Sequence, residues 1–427
     1  MITTINNKHN KLNVPNSTDK GNVIRNVPHL RFPEFEGEWE KCPLGKISTK
    51  ITKKNKGNTI QNVLCNSATL GLIPQNDYFD REIANSNNTE GYYVIEYGDF
   101  VYNPRKSVSA PYGPVNIYTG SIKGIISPLY LCFSVHSIMP SFLYYRFKSS
   151  VWFPYVYSHG DTGTRFDRVS IKDDVFFEMP IYMPSSKEQI KIANLMALLD
   201  ERIATQNKII DKLQSLIKGM EDNLLDNPLW KKTYLRSVMQ FFPTNSLSWE
   251  QLSYKEGAIR NLHYGLIHGL QTRGINSASL PMIKNEAIPK QYTLCQVGDV
   301  AFADASEDTG EIAKSVEFVD TIEGDTICGL HTIHGRDIKN RTVVGFKGFA
   351  FNSRYFHNQI KRLAQGTKVF SITANNLSSC YVYLPDFDTQ KAIVKLLKAY
   401  EEKLLVSKRL LEQYEKQKQY LLRQMFI

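Results

Sequence analysis

Two stretches of the 427-residue chain hold residue types that bind metals or activate water. "CGLHTIH" sets Cys328, His331 and His334 at intervals of three, a spacing that crowds soft and borderline ligands onto one side of a short segment. Pro385-Asp386, followed by Glu401-Glu402-Lys403, satisfies the loose PD...ExK pattern of nucleases, in which carboxylates hold Mg2+ beside a lysine and the attacking water. Neither completes a site. The first lacks a fourth ligand and any ExxH context, so its three side chains read as packing residues. The second lies inside heptads rather than on a strand, and an earlier counterpart reads Pro184-Ser185 and Asp200-Glu201-Arg202. "NPRK" at Asn103 starts like an amino-methylation motif but lacks the second proline and the aromatic residue that would stack on a flipped base. No glycine-rich loop ending in Gly-Lys-Ser/Thr is present to hold ATP.

That earlier counterpart is one part of a chain written twice. "WEKCPL" from Trp39 is matched by "WKKTYL" from Trp230, "EYGDFVYN" around Gly98-Asp99 by "QVGDVAFA" around Gly298-Asp299, and Gly163-Thr164 by Gly366-Thr367. Pro184 answers Pro385, and the separations of 191, 200, 203 and 201 residues drift only by short insertions. Each globular half reads as short Val, Ile, Tyr and Phe runs punctuated by Gly, Pro, Asn and Asp, the pattern of strand-dominated mixed structure. Between the landmarks the halves hardly resemble each other, so one scaffold presents two surfaces.

Each half ends in a helix. Ile192, Met196, Leu199, Ile203, Gln206, Ile210, Leu213, Ile217, Met220 and Leu224 follow a 4,3,4,3 spacing, the seam of a coiled coil. The pattern returns at plus 201 in Ile393, Leu397, Tyr400, Leu404, Ser407, Leu411, Tyr414, Lys418, Leu421 and Met425. Gln206 and Ser407 share one heptad site near the middle of each seam, where a polar residue fixes register and would meet its partner even in an antiparallel pair. "SSKE" at Ser185 to Glu188 fits a capping box, Asp388 suits the cap of the second helix, and "DNP" at Asp226 to Pro228 stops the first. Each seam is roughly 50 Å long at a rise of about 1.5 Å per residue. Two such helices in one chain pair with each other more readily than between chains, because tethering raises their effective concentration.

Hydrophobic content of 42% is that of a globular protein. The first 28 residues are polar and rich in Asn and Lys, and no window approaches a membrane-spanning apolar run, so a cytoplasmic protein without membrane contact is expected. Cys42, Cys65, Cys132, Cys295, Cys328 and Cys380 include no CxxC and read as reduced, buried hydrophobes. The formal charge is +10, and outside residues 185–227 and 385–427 the chain carries 37 Lys/Arg against 29 Asp/Glu, so the excess lies on the globular halves. Two basic domains tied by long helices suit double-stranded DNA read at two places in a bipartite, asymmetric target.

"LRFPEFEGEWEKCPLGKI" (Leu30 to Ile47), the tandem repeat, and the heptad helices introduced by "PSSKEQIKIANLMALLDERI" and "PDFDTQKAIVKLLKAYEEKL" resemble the specificity subunit of type I restriction-modification systems over the chain beyond the N-terminal arm. The resemblance implies an α+β fold: two tandem, pseudo-symmetric target recognition domains of mixed α/β structure, separated by two long helices that form an antiparallel intramolecular coiled coil. The divisions expected are an arm at 1–28, recognition domains at 29–184 and 228–384, and helices at 185–227 and 385–427. It also implies a chain that is not catalytic and holds no cofactor, which directs adenine methylation through two methyltransferase subunits and, with motor-nuclease subunits, restriction of unmodified DNA. S-adenosylmethionine, ATP and Mg2+ then belong to the partners. The second half lacks a counterpart of "RFPEF".

Phosphates are met by Lys, Arg and small polar donors, guanine edges by Arg or Lys, and adenine edges by Asn or Gln. Loops dense in these types are Asn103, Arg105, Lys106, Ser107, Tyr112 and Asn116, with His159, Thr164, Arg165 and Arg168, in the first half. In the second half they are Arg260, Asn261, His263, Tyr264, His268, Gln271 and Arg273, then Arg354, Lys361, Arg362, Gln365, Thr367 and Lys368. Gly163 and Gly366 read as tight-turn residues. A self-sufficient restriction or modification enzyme is opposed by the missing catalytic motifs, a protein-only scaffold by the basic, divergent halves, and a stand-alone repressor by the lack of a helix-turn-helix pattern.

Overall fold

The repeated Gly-Asp pair bends the backbone in the same way in each half. Gly98 and Gly298 have φ of +91° and +89°, values a side chain would strain. The aspartate that follows closes the turn, with Asp99 Oδ2 accepting from Glu96 N at 2.7 Å and Asp299 Oδ2 from Gln296 N at 2.8 Å. A computed structural model describes residues 26–77, 89–160, 167–270, 273–320, 322 and 324–427. By contact the chain forms one unit of the residues up to Thr205 with Glu412–Ile427, and another of Gln206–Leu411.

In the first unit the turn opens β3. Its strands include β1 (Glu40–Pro43), β2 (Ser48–Lys50), β3 (Phe100–Tyr102), β4 (Val115–Ile117), β5 (Leu131–Val135) and β6 (Pro180–Met183), with helix α1 at Pro140–Lys148 and the long helix α2 at Ser186–Leu225. The central sheet has the order β2-β5-β3-β4, and β1 pairs antiparallel with β6. β3 is buried throughout, and its period of two divides its side chains between two cores. Phe100 and Tyr102 join Ile192, Met196, Leu199, Leu421 and Met425, whereas Val101 joins Leu64, Ile95, Tyr118, Ile126 and Cys132 on the other face.

The second unit repeats the plan. It contains β7 (Lys231–Tyr234), β8 (Met239–Phe242), β9 (Val300–Ala303), β10 (Ser315–Phe318), β11 (Thr332–Asp337), α3 (Phe346–Ala350), β12 (Tyr381–Leu384) and the long helix α4 (Phe387–Gln424). The order β8-β11-β9-β10 matches the first sheet, with Gly274–Ile275 added parallel to β10, and β7 pairs with β12. Register agrees too, since Phe100 faces Ile117 as Val300 faces Glu317. Val300 and Phe302 pack with Ile393 and Leu397, while Ala301 and Ala303 pack with Cys295, Phe318 and Cys328.

Helices α2 and α4, of 40 and 38 residues, give one half to each unit. Ile192, Met196, Leu199, Gln206, Ile210, Leu213, Ile393, Leu397 and Ser407 are buried, and Ile203, Tyr400, Leu404, Leu411 and Tyr414 half-buried. In the second unit Gln206 Nε2 donates to Ser407 O at 3.0 Å, and further along α2 Glu221 faces Glu401, so the pair runs antiparallel. In the first unit Lys418 pairs with Asp200, which also accepts from Tyr145 Oη at 2.8 Å. The fold class read from the sequence stands.

Two expectations about caps are corrected. Ser185 Oγ does accept from Glu188 N, at 3.4 Å, but the Glu188 carboxylate turns to Arg31 of "RFPEF" instead of closing the box. The cap of α4 is Asp386, which accepts from Thr389 N at 2.8 Å, whereas Asp388 lies in the first turn and pairs with Lys391. Asp386 is thus a capping group at the start of α4, roughly 22 Å along the helix from Glu401 at about 1.5 Å per residue, which separates the PD...ExK carboxylates.

Each long helix is tied to its unit by one buried glutamine at the same repeat site. Gln189 Oε1 accepts from Met139 N at 2.9 Å and its Nε2 donates to Pro184 O; Gln390 Oε1 accepts from Val343 N at 2.9 Å and its Nε2 donates to Pro385 O. Gln189→Ala strands a backbone donor and acceptor, and is expected to cost about 1–3 kcal/mol. Thermal unfolding unchanged from the parent would show that water replaces these bonds.

Candidate nucleic-acid interface

At the end of β3 the chain leaves the sheet through "NPRKS". Asn103 Oδ1 accepts from Arg105 N at 3.0 Å, which turns the loop outward. Arg105 then forms an antiparallel bridge with Arg168, flanked by Lys106 N to Asp167 O at 2.8 Å and Val169 N to Pro104 O at 2.9 Å. The structure so joins two loops that the sequence sets about sixty residues apart. Arg105 is 69% exposed, and Asp167 lies 3.9 Å from both guanidinium groups without neutralising two positive charges. Beneath the bridge is a concavity of about 410 Å³ lined by Asn66, Tyr92, Asn103, Arg105, Lys106 and Tyr130 among others. Cations on its rim and amides and phenols inside suit phosphate contact at the edge and base edges within.

Other first-half candidates are placed differently. Asn116 is buried and bonded to Asn66 Oδ1 at 2.6 Å, Ser67 O at 2.9 Å and Lys148 Nζ at 2.6 Å, so it holds the interior and reads no base. Tyr112 packs half-buried on Phe153. Ser107 Oγ accepts from Ala110 N in a turn, and His159 is exposed and stacked on Tyr155. Gly163, Thr164 and Arg165 lie outside the described residues.

In the second half the same bridge recurs with different residues. Ala305–Ser306 pairs with Phe370–Ser371, and Ile372 N donates to Asp304 O. Gln365, Thr367 and Lys368 are exposed in the loop leading to this pair, and Arg354, Lys361 and Arg362 are exposed on helix Arg354–Leu363. A Cβ on Gly366, φ +130°, would meet Val369 O at 2.0 Å, so the glycine makes a tight turn. The counterpart of "NPRKSVSA" is "ADASEDTG", residues 303–310, which places Ala305 and Ser306 at the sites of Arg105 and Lys106 and flanks them with Asp304, Glu307 and Asp308. A search for basic loops missed this segment; its offset of 200 from Asn103 was the available signal.

The "RNLHYGLIHGLQTR" candidates mostly serve the protein. Arg260 donates to Ala278 O and Leu280 O at 2.9 and 3.2 Å, Asn261 is fully buried, and buried His263 caps the next helix by accepting from Gly265 N at 3.2 Å. Buried side chains cannot reach a groove, which removes Asn261 and His263 from the DNA-facing set. Tyr264 and His268 remain at the surface beside His331, with His268 3.5 Å from Glu311. Gln271 lies outside the described residues. His331 also leaves the "CGLHTIH" trio, turning to Asp304 Oδ1 at 3.0 Å.

Arg273 is a helix clamp. It contacts Glu221 at 3.4 Å and its backbone N–H bonds Glu401. Burial pushes the Glu401 carboxyl up to about 7, Arg273 pulling it down and Glu221 pushing it further up. The folded chain therefore holds this proton more tightly than the unfolded one, so stability falls as pH rises from about 4.5 to about 7. Glu401→Gln is expected to remove that slope and raise Tm above pH about 7; an unchanged slope would place the titration elsewhere.

No family model matches the chain. Its fold is that of a chain from a type I restriction-modification system solved for its complex assembly and conformational transition, at a TM-score of 0.55 and 13% identity over 90% of this chain and 96% of that one. The S subunit of the type I restriction-modification system from M. genitalium gives 0.53 and 14% over 94% and 99%. By sequence the chain is 24% identical over 345 residues, 76% of its length and 77% of the relative's, to a chain assigned as the MjaX type I restriction enzyme specificity subunit of Methanocaldococcus jannaschii. The MjaVIII specificity subunit of that organism is 25% identical over 274 residues, 60% of this chain and 63% of the relative. The resemblance to type I specificity subunits thus stands in both sequence and fold, and the relatives are specificity subunits, in line with a chain that is not itself an enzyme. No described helix is long and apolar enough to cross a membrane.

Proposed function

We propose that the chain reads double-stranded DNA for a type I restriction-modification complex in the cytoplasm. The first recognition domain, 29–184, meets one half of a bipartite asymmetric target through Arg105, Lys106, Ser107 and Arg168. The second, 228–384, meets the other half through residues 304–309 and the Arg354 to Lys368 stretch. The paired helices, 185–227 and 385–427, set the spacer and dock two methyltransferase subunits, which supply S-adenosylmethionine chemistry; motor-nuclease subunits supply ATP-driven, Mg2+-dependent cleavage.

The observation that carries this reading is one bridge built twice, with Arg105 and Arg168 in the first half and, in the second, Ala305 and Ser371 beside Asp304, Glu307 and Asp308. Matching architecture with different side chains suits unlike half-sites, because the phosphates are alike and only the base edges differ. Titration of labelled duplexes by the chain bound to its methyltransferase partner is expected to show a preference for one split sequence and a steep loss of affinity with salt, since phosphate contacts release counterions. Equal binding to every duplex, or none at low salt, would reject it.

A further inference from the structure

Register lets one position of the fold be compared between the halves. Val94 pairs with Ile125 in the first, and Leu294 bridges Ile327 in the second, so Ile95 corresponds to Cys295 and Ile126 to Cys328. β3 and β5 pair Val101 with Cys132, where β9 and β11 pair Ala301 with His334. Ile95, Ile126 and Cys132 are fully buried together in one hydrophobic cluster. Their counterparts Cys295, Cys328 and His334 are buried too, at 7%, 3% and 1% exposure. The first half shows that this scaffold closes there with two isoleucines and a single thiol. Placing two thiols and an imidazole in the same core costs desolvation, which ligand binding offsets.

We propose that Cys295, Cys328 and His334 form a zinc site in the second recognition domain. One ligand atom from each lies within 4.8 Å of the others, and the two sulfurs are 3.6 Å apart. A tetrahedral zinc with Zn–S near 2.3 Å holds its sulfurs about 3.8 Å apart, so the pair needs little adjustment. The positions are fixed by backbone: Cys295 N donates to Thr326 O at 2.8 Å, Cys328 ends the strand Thr326–Cys328, and His334 lies within β11. His334 Nε2 donates to Asp299 Oδ2 at 2.7 Å, and Asp299 is itself held by Arg336 Nε at 2.8 Å and Nη2 at 2.7 Å. A carboxylate that orients a ligating imidazole is the usual outer shell of such a site. Charge favours a divalent ion, because two thiolates, Asp299, Arg336 and Zn2+ sum to zero. Three protein ligands fill three of the four positions of a tetrahedral site, and the described residues offer no fourth. The ion would lock the Cys295 segment to two strands, independently of how the domain meets DNA.

The test uses the full chain, reduced, metal-stripped and anaerobic, titrated with Co2+ and then with Zn2+. The expected result is one equivalent bound, thiolate-to-cobalt charge-transfer bands in the near ultraviolet, and a Tm raised by Zn2+. Asp299→Asn should weaken zinc about 10- to 100-fold, and Cys132→Ser should leave the titration unchanged. Because Cys328→Ser also alters a buried position, the parent cobalt spectrum decides. Absence of charge-transfer bands with no stoichiometric zinc overturns the proposal, as do bands that persist in C295S/C328S. A Cys295–Cys328 disulfide that forms on air exposure in a chain that never took up metal overturns it as well.

Discussion

Arg31→Ala should destabilise the first unit by roughly 3–5 kcal/mol, the cost of leaving one partner of a buried ion pair alone. Arg31 Nε and Nη2 donate to Glu188 Oε1 and Oε2, both at 2.8 Å, a two-point pairing in which Glu188 is only 1% exposed. The segment also closes onto the end of α4, where Leu30 N donates to Gln424 O at 2.8 Å. Losing Arg31 therefore strands a carboxylate in the first turn of α2 and loosens the chain on both sides. At the matching site α4 has Thr389, which needs no arginine, and this explains why the second half does without "RFPEF". The Arg31→Ala, Glu188→Gln double variant should recover part of the loss, because it removes the unpaired charge. Chemical denaturation read by tryptophan fluorescence checks this; a loss below about 1 kcal/mol would mean that water reaches the Glu188 carboxylate.

Arg105→Ala should weaken binding to the correct duplex about 10- to 100-fold, equivalent to roughly 1–3 kcal/mol for one base-directed arginine. The effect should fall on one half-site only. The Arg105 side chain is exposed, and its shape-determining bonds come from backbone and Asn103, so the fold should survive the change. Competition between duplexes altered in either half checks the outcome. Uniform weakening across all sequences, with a shallower salt dependence, would make Arg105 a phosphate contact.

The sequence showed its long-period features most clearly. A 4,3 spacing sustained along both helices has one structural solution, and Gly98-Asp99 with Gly298-Asp299 mark the same left-handed turn. Polar residues were harder to place, since type does not report burial: Asn116 and Asn261 look like base readers and are interior bonding groups. Asp386 and Asp388 are both residue types that suit an N-cap, and only geometry assigns the cap to Asp386. The buried ties Gln189 and Gln390 went unremarked although they repeat at plus 201, a signal that identical polar residues persisted where neighbours diverged. The counterpart at 303–310 is not legible from positive charge, because its charged residues are Asp304, Glu307 and Asp308 and only its offset from Asn103 marks it.

The central claim, that this chain supplies sequence specificity, is tested most directly by expressing it with a methyltransferase subunit of its system and mapping adenine methylation by long-read sequencing. The account predicts one split, asymmetric motif that vanishes when the chain is omitted and loses stringency in a single half with Arg105→Ala. A stable complex that leaves no motif, or a motif that persists without the chain, would contradict it.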